Sequence, residues 1–228
     1  MASIGSQAKI AELVRAYDEV GIPMKFTPSQ AKLLVSTWKR LAEGTPATPS
    51  DIAALAVEAG MTADEANDFL VWMSEKNDDG AILGTMGLTQ TDWSNIKFVA
   101  DGIDLHVWCA LDSLFLPPLI NKTVQVEVLA AMSREPVRFS VGPDSIGHIE
   151  PAGAVMTTVV PALPDIANLQ AVEEVWGIFC HHSLFFASRE EAEDWVATKE
   201  GLDISILDLP DAYEVASRSF AGLKNLAH

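Results

Sequence analysis

The chain has 228 residues, 49% of them hydrophobic, which is enough apolar material for one large domain or two small ones. A formal charge of −17 argues against a nucleic-acid partner, because phosphate contacts need clustered Lys and Arg. No apolar run approaches the roughly 18 residues of a membrane span, and no basic stretch followed by an apolar run marks a signal peptide, so a soluble cytoplasmic protein without a membrane partner is expected.

Residues 1–90 read as helical. Ile10, Leu13, Val14 and Tyr17 recur at helical spacing and predict an amphipathic helix over 8–20. Thr27-Pro28-Ser29-Gln30 is a capping box with proline at the first helical position, and the helix it opens carries Leu33, Leu34, Thr37, Trp38 and Leu41 on its apolar face. Thr48-Pro49-Ser50-Asp51 opens the next, with Ile52, Leu55 and Ala56 inward and Gly60 as its stop. Thr62-Ala63-Asp64-Glu65 opens a fourth, expected over 63–76. Asn77-Asp78-Asp79-Gly80 is a turn signal that leads through Ile82-Leu83-Gly84 into a hairpin. Short helices followed by a hairpin look like a winged helix-turn-helix. The last of these helices carries Asp64, Glu65, Asp68 and Glu75 against one lysine, so a phosphate groove would repel it. The 1–90 unit therefore reads as a scaffold rather than a DNA reader.

Beyond residue 90 the chain turns to short β-type runs at 96–99, 105–108, 124–130, 137–141, 155–160 and 178–186. Asp101-Gly102 is a hairpin turn between the first two, and Pro143-Asp144 and Pro151-Ala152-Gly153 are further turns. The stretch 161–175 has no clear period and reads as loop. Ser188-Arg189-Glu190-Glu191 opens a helix to about residue 199 with Gly201 as a plausible cap; a strand at 204–207 and a closing helix over 211–226 follow. The expected class is α+β: a winged-helix-like unit packed on a mixed-sheet catalytic core, 91–228, with flanking helices.

Both cysteines, Cys109 and Cys180, fall in that second part, 71 positions apart. Two unrelated buried thiols are the commonest fate of such a pair, and a reducing cytoplasm disfavours a disulfide. Local context lifts them above this. Residues 105–118 run from alternating strand-like sequence into a short apolar helix ended by Pro117-Pro118. Cys109 sits at the switch, with Asp112 three residues on and so on the same helical face. A thiol at a helix N-terminus is biased toward thiolate. Cys180 is followed by His181 and His182, of which an extended segment lets only His182 share its face. Zinc is possible, but the short Cys/His spacing of structural sites is absent. A Cys–His nucleophile can be written down, but a charged Asp112 would raise the thiol's pKa. The residues suit better a carboxyl that takes the proton the sulfur gives up.

Trp108-Cys109-Ala110-Leu111-Asp112 and its following apolar run, Ile149-Glu150-Pro151-Ala152-Gly153, Phe179-Cys180, Phe185-Phe186-Ala187-Ser188 and Glu193-Asp194-Trp195 together resemble the organomercurial (alkylmercury) lyases. The likeness spans roughly residues 30 to 215. It implies protonolysis of R–Hg⁺ to R–H and Hg²⁺, with Cys109, Cys180 and Asp112 as the catalytic and mercury-holding residues. Trp108 and Phe179 would be walls of an apolar pocket. It implies no organic cofactor, low-molecular-weight thiols as carriers, and a mercuric reductase as the downstream acceptor. Where many relatives have a second cysteine after the later catalytic one, this chain has His181. The rival reading is a non-catalytic thiolate protein that binds or senses a metal on the same fold; it has no need of a proton donor at Asp112.

Overall fold

The computed structural model describes residues 4–21, 25–160 and 172–227. The helical start follows from its caps. After α1 (Ile4–Val20), the threonines Thr27, Thr48 and Thr62 each accept the backbone N–H three residues on, while the side chain at that position caps the threonine's own N–H. They open α2 (Pro28–Leu41), α3 (Pro49–Ala59) and α4 (Ala63–Leu70), and each box satisfies donors that the first helical turn leaves orphaned. Gly60 ends α3 in the left-handed conformation. The fourth helix is shorter than the expected 63–76. It passes through a 3₁₀ turn, Val71–Met73, into strand β1 (Ser74–Lys76), so Glu75 belongs to a strand.

That strand is the edge of a sheet with order β1-β2-β3-β5-β4-β6-β7-β8, where β2 is Ile82–Thr85, β3 Leu88–Thr89, β4 Lys97–Ala100, β5 Ile103–Val107, β6 Val124–Leu129, β7 Pro136–Val141 and β8 Ile146–Glu150. Strands from either side of residue 90 thus share one sheet. A second sheet has the order β10-β9-β11, with β9 Val155–Val159, β10 Phe185–Phe186 and β11 Ile204–Asp208. Every pairing among the described residues is antiparallel, where a mixed sheet was expected. The reason is the crossover from β5 to β6: it jumps over β4, so the two strands that run the same way are never neighbours.

The crossover contains α5 (Asp112–Ile120), every residue of which is buried. The proline pair does not end it. Pro117 and Pro118 lie inside, and Asn121, at φ 57°, closes it. Each proline removes a backbone donor, but packing on all sides holds a helix this short whatever its propensity. The run expected as a strand over 178–186 is mostly not one. Helix α6 (Val172–Ile178) leads into a 3₁₀ turn, Cys180–His182, and only Phe185–Phe186 is extended. The loop expected at 161–175 lies, over 161–171, outside the described residues. Helix α7 (Arg189–Ala197) stops at Thr198, short of Gly201. The closing helix is two: α8 (Leu209–Ser219) and α9 (Ala221–Ala227). One apolar core runs from Tyr17 and Trp38 through Phe98 and Leu105 to Val215.

Candidate active site

Two separate chain segments meet at the site. The first leaves β5 at Val107 and turns through residues 108–111 before α5 begins at Asp112. The Asp112 carboxylate reaches back to accept the Cys109 N–H at 2.7 Å. Cys109 therefore stands ahead of the helix, not in it, and its closeness to Asp112 comes from this turn rather than from helical i, i+3 spacing. The second segment is the 3₁₀ turn of Cys180. Buried Thr157 of β9 holds it, donating its hydroxyl to His182 O at 2.9 Å and accepting the Leu184 N–H at 3.3 Å. The segments are tied directly by the Ala110 N–H donating to Ser183 O at 3.1 Å.

The result brings Cys109 Sγ, Cys180 Sγ and an Asp112 carboxylate oxygen within 4.8 Å of one another, all three residues buried. No disulfide joins the sulfurs. His181 and His182, the candidates for a zinc set, do not join this group. The extended geometry on which their pairing with Cys180 was argued is replaced by the 3₁₀ turn.

Burial sets the electrostatics. The Cys109 thiol is pushed well above its usual range by desolvation first, then by Cys180 and the charge of Asp112. The helix end does not make it a thiolate, as the sequence suggested. Desolvation also pushes the Asp112 carboxyl up to about 7, against the opposing hydrogen bonds from Cys109. Cys109 thus holds its proton beside a carboxyl that can give and take one near neutrality.

The aromatic neighbours divide. Phe179 is buried with its ring edge-on to Tyr17, centroids 6.0 Å apart. Trp108 is half-buried; its indole N–H donates to Glu75 Oε1 at 3.1 Å, and its ring lies 5.7 Å from Trp176 and 6.5 Å from Trp93. Tyr17 was read from sequence only as part of an apolar face. Its phenol is fully buried, hydrogen-bonded to Thr158 and pushed up by burial and by the nearby Cys109. The available signal was the phenol itself, since a hydroxyl on a core face requires a buried partner. Phe115 of α5 stacks on Phe220 at 3.8 Å.

Residues 94–221 match the family described as alkylmercury lyase. An alkylmercury lyase of Staphylococcus epidermidis is 34% identical over 179 residues, covering 78% of this chain and 76% of the relative. One of Bacillus cereus is 30% identical over 211 residues, covering 92% and 90%. A crystal structure of the mercury-bound form of MerB2 has the same fold, with a TM-score of 0.71 at 21% identity over 96% of this chain and all of that one. With more than half of its length matched by the family and relatives aligned along most of theirs, the chain belongs to the alkylmercury lyases.

Proposed function

We propose that Cys109, Cys180 and Asp112 together cleave the carbon–mercury bond of R–Hg⁺, releasing R–H and leaving Hg²⁺ on the two sulfurs. The observation that carries this reading is the meeting of two thiols and one carboxyl within 4.8 Å in a buried site. Thiolates are the soft ligands mercury prefers. One cysteine displaces the thiol that carries the substrate and binds mercury. The second then adds, and Asp112 takes the proton it loses. Two sulfurs push electron density onto mercury and weaken its bond to carbon. The electron pair of that bond passes to carbon, which takes the proton from Asp112, and the carboxylate is restored. Two external thiols remove Hg²⁺ by exchange and return protons to the cysteines.

Trp108 and Phe179, each adjacent to a cysteine in the chain, are read as walls of the space for R. The reaction needs no organic cofactor. Low-molecular-weight thiols carry the substrate in, and a mercuric reductase is the expected acceptor in a cytoplasmic setting; no helix of the described residues is long and apolar enough to cross a membrane. The capped helices α2 to α4 with the β1–β2 hairpin are read as a winged-helix-like scaffold unit over 1–90, since all three reactive residues come from 91–228. Reduced protein mixed with phenylmercury and excess thiol is expected to release benzene catalytically. Mercury binding without any benzene would instead favour a thiolate metal-binding protein.

A further inference from the structure

The turn between β2 and β3 is two residues long, Met86-Gly87, flanked by the pair Thr85 and Leu88. Both turn residues have positive φ, 39° and 101°, as a tight hairpin of this twist requires. Three bonds fix where the turn lies. Trp38 of α2 donates its indole N–H to Thr85 O at 3.0 Å, the Met86 N–H donates to Met73 O at 3.2 Å, and Gly87 O accepts the Trp108 N–H at 3.0 Å. The last bond pins Gly87 to the residue before Cys109. Gly87 also faces the other end of the same turn: a Cβ there would lie 2.7 Å from Asp112 Oδ1, 2.8 Å from Cγ and 3.3 Å from Cβ. Real side chains essentially never come that close, so the carboxyl could not keep its place beside any residue but glycine.

We propose that Gly87 is a positioning residue for the cleavage reaction, its bare backbone forming the wall that seats the Asp112 carboxyl against Cys109 and Cys180. This rests on the reading of Asp112 as the proton carrier. The opposite oxygen, Oδ2, is held by the Cys109 N–H at 2.7 Å, so the carboxyl is bracketed on both sides. Proton transfer to carbon depends on where that group points, and displacement by about 1 Å can cost around 100-fold in rate. Mercury capture depends on the sulfurs, whereas the three heavy atoms nearest a Cβ at Gly87 all belong to Asp112.

The test compares Gly87→Ala with Gly102→Ala. Gly102 sits at φ 81° in the β4–β5 turn and has nothing within 4 Å of a would-be Cβ, so it carries the same backbone cost without the contact. Expected for Gly87→Ala is a fall in kcat for benzene release of at least about tenfold. KM should stay within about threefold, and the two-thiolate mercury absorption band in the ultraviolet should be unchanged; Gly102→Ala should keep wild-type kcat. Equal kcat in the two variants overturns the proposal, as does a loss confined to KM. Thermal unfolding gives a second arm that does not need activity. The drop in Tm caused by Gly87→Ala should shrink to that of Gly102→Ala when Asp112 is also changed to Ala. If Gly87→Ala fails to fold, recovery of folding in the double variant supports the contact and continued failure overturns it. Absence of benzene release from the wild-type protein, by contrast, strikes the functional reading itself.

Discussion

In the proposed reaction Asp112 has two opposite tasks at one place, accepting a proton from sulfur and donating it to carbon. A carboxyl at its ordinary pKa would do the first and fail the second; desolvation moves this one to about 7, where both forms are accessible. Asp112→Asn keeps the shape and removes the transferable proton. Benzene release from phenylmercury is expected to slow by about 100-fold or more while two-thiolate mercury binding persists, measured as benzene and mercury stoichiometry on one sample. The same burial has a stability consequence with a definite sign. Between the ordinary value of 3.8 and about 7 the folded protein binds a proton that the unfolded chain has released. Stability contributed by the protonated form is complete below the lower value and is lost as pH rises through the upper one, by up to roughly 1 kcal/mol per pH unit. Urea titrations across that window should show the decline in the wild type and a flatter dependence in Asp112→Asn. At this scale the sequence carried the residue types and their motifs. It did not carry the bond from the Cys109 N–H to the carboxylate, which depends on where α5 begins, nor the hydroxyl partner of Tyr17, Thr158, on a strand 141 positions away.

Among the elements, the link from α2 to the β2–β3 turn bears most directly on the site. Trp38 is 1% exposed and its indole N–H holds Thr85 O. Trp38→Phe fills most of the volume but removes the bond that ties α2 to Thr85 O, and should cost about 1 kcal/mol in urea unfolding with an unchanged m-value. The helices of this region were legible because capping boxes are local: a threonine and a residue three on, with an adjacent proline in α2 and α3, settle the start without reference to the rest of the fold. The strands were less so. Residues 178–186 are apolar enough for a strand, yet Thr157 and Ser183 O hold the first part in a 3₁₀ turn through contacts distant in the chain. Strand β8 is not legible in the sequence because Gly147 and His148 interrupt its apolar alternation; in the structure His148 has φ 52°. The split of the last helix at Phe220 likewise reflects packing: Phe220, at the end of α8, stacks on Phe115 of α5.

For the molecule as a whole, the α+β class was readable from the helix signals before residue 90 and the β-type runs after it, but the convergence of the three reactive residues only because five motifs occur in one order; residue patterning alone left a two-thiol protein with several possible chemistries. The antiparallel sheet was not readable, because strand order is decided by which strand a crossover skips. What the fold adds is proximity. Cys109 stands at the start of the crossing from β5 to β6, Cys180 follows the last turn of α6, and a backbone bond from Ala110 to Ser183 closes the gap between them.

If the reaction leaves Hg²⁺ on both sulfurs, as proposed, that closure makes the product a structural staple. An Hg²⁺ ion held by both sulfurs ties together positions 71 residues apart, as a disulfide would, but one that small dithiols can undo. A cross-link of that span removes about 4 kcal/mol of chain entropy from the unfolded state. The loaded protein should therefore melt higher and resist thermolysin longer than the free one, and a dithiol should return it to the starting point. A Cys180→Ser variant, able to hold mercury by one sulfur only, should gain nothing. Turnover and mechanical tightness would then run in opposition: the protein is most resistant to unfolding at the moment it is waiting for a thiol to carry mercury away.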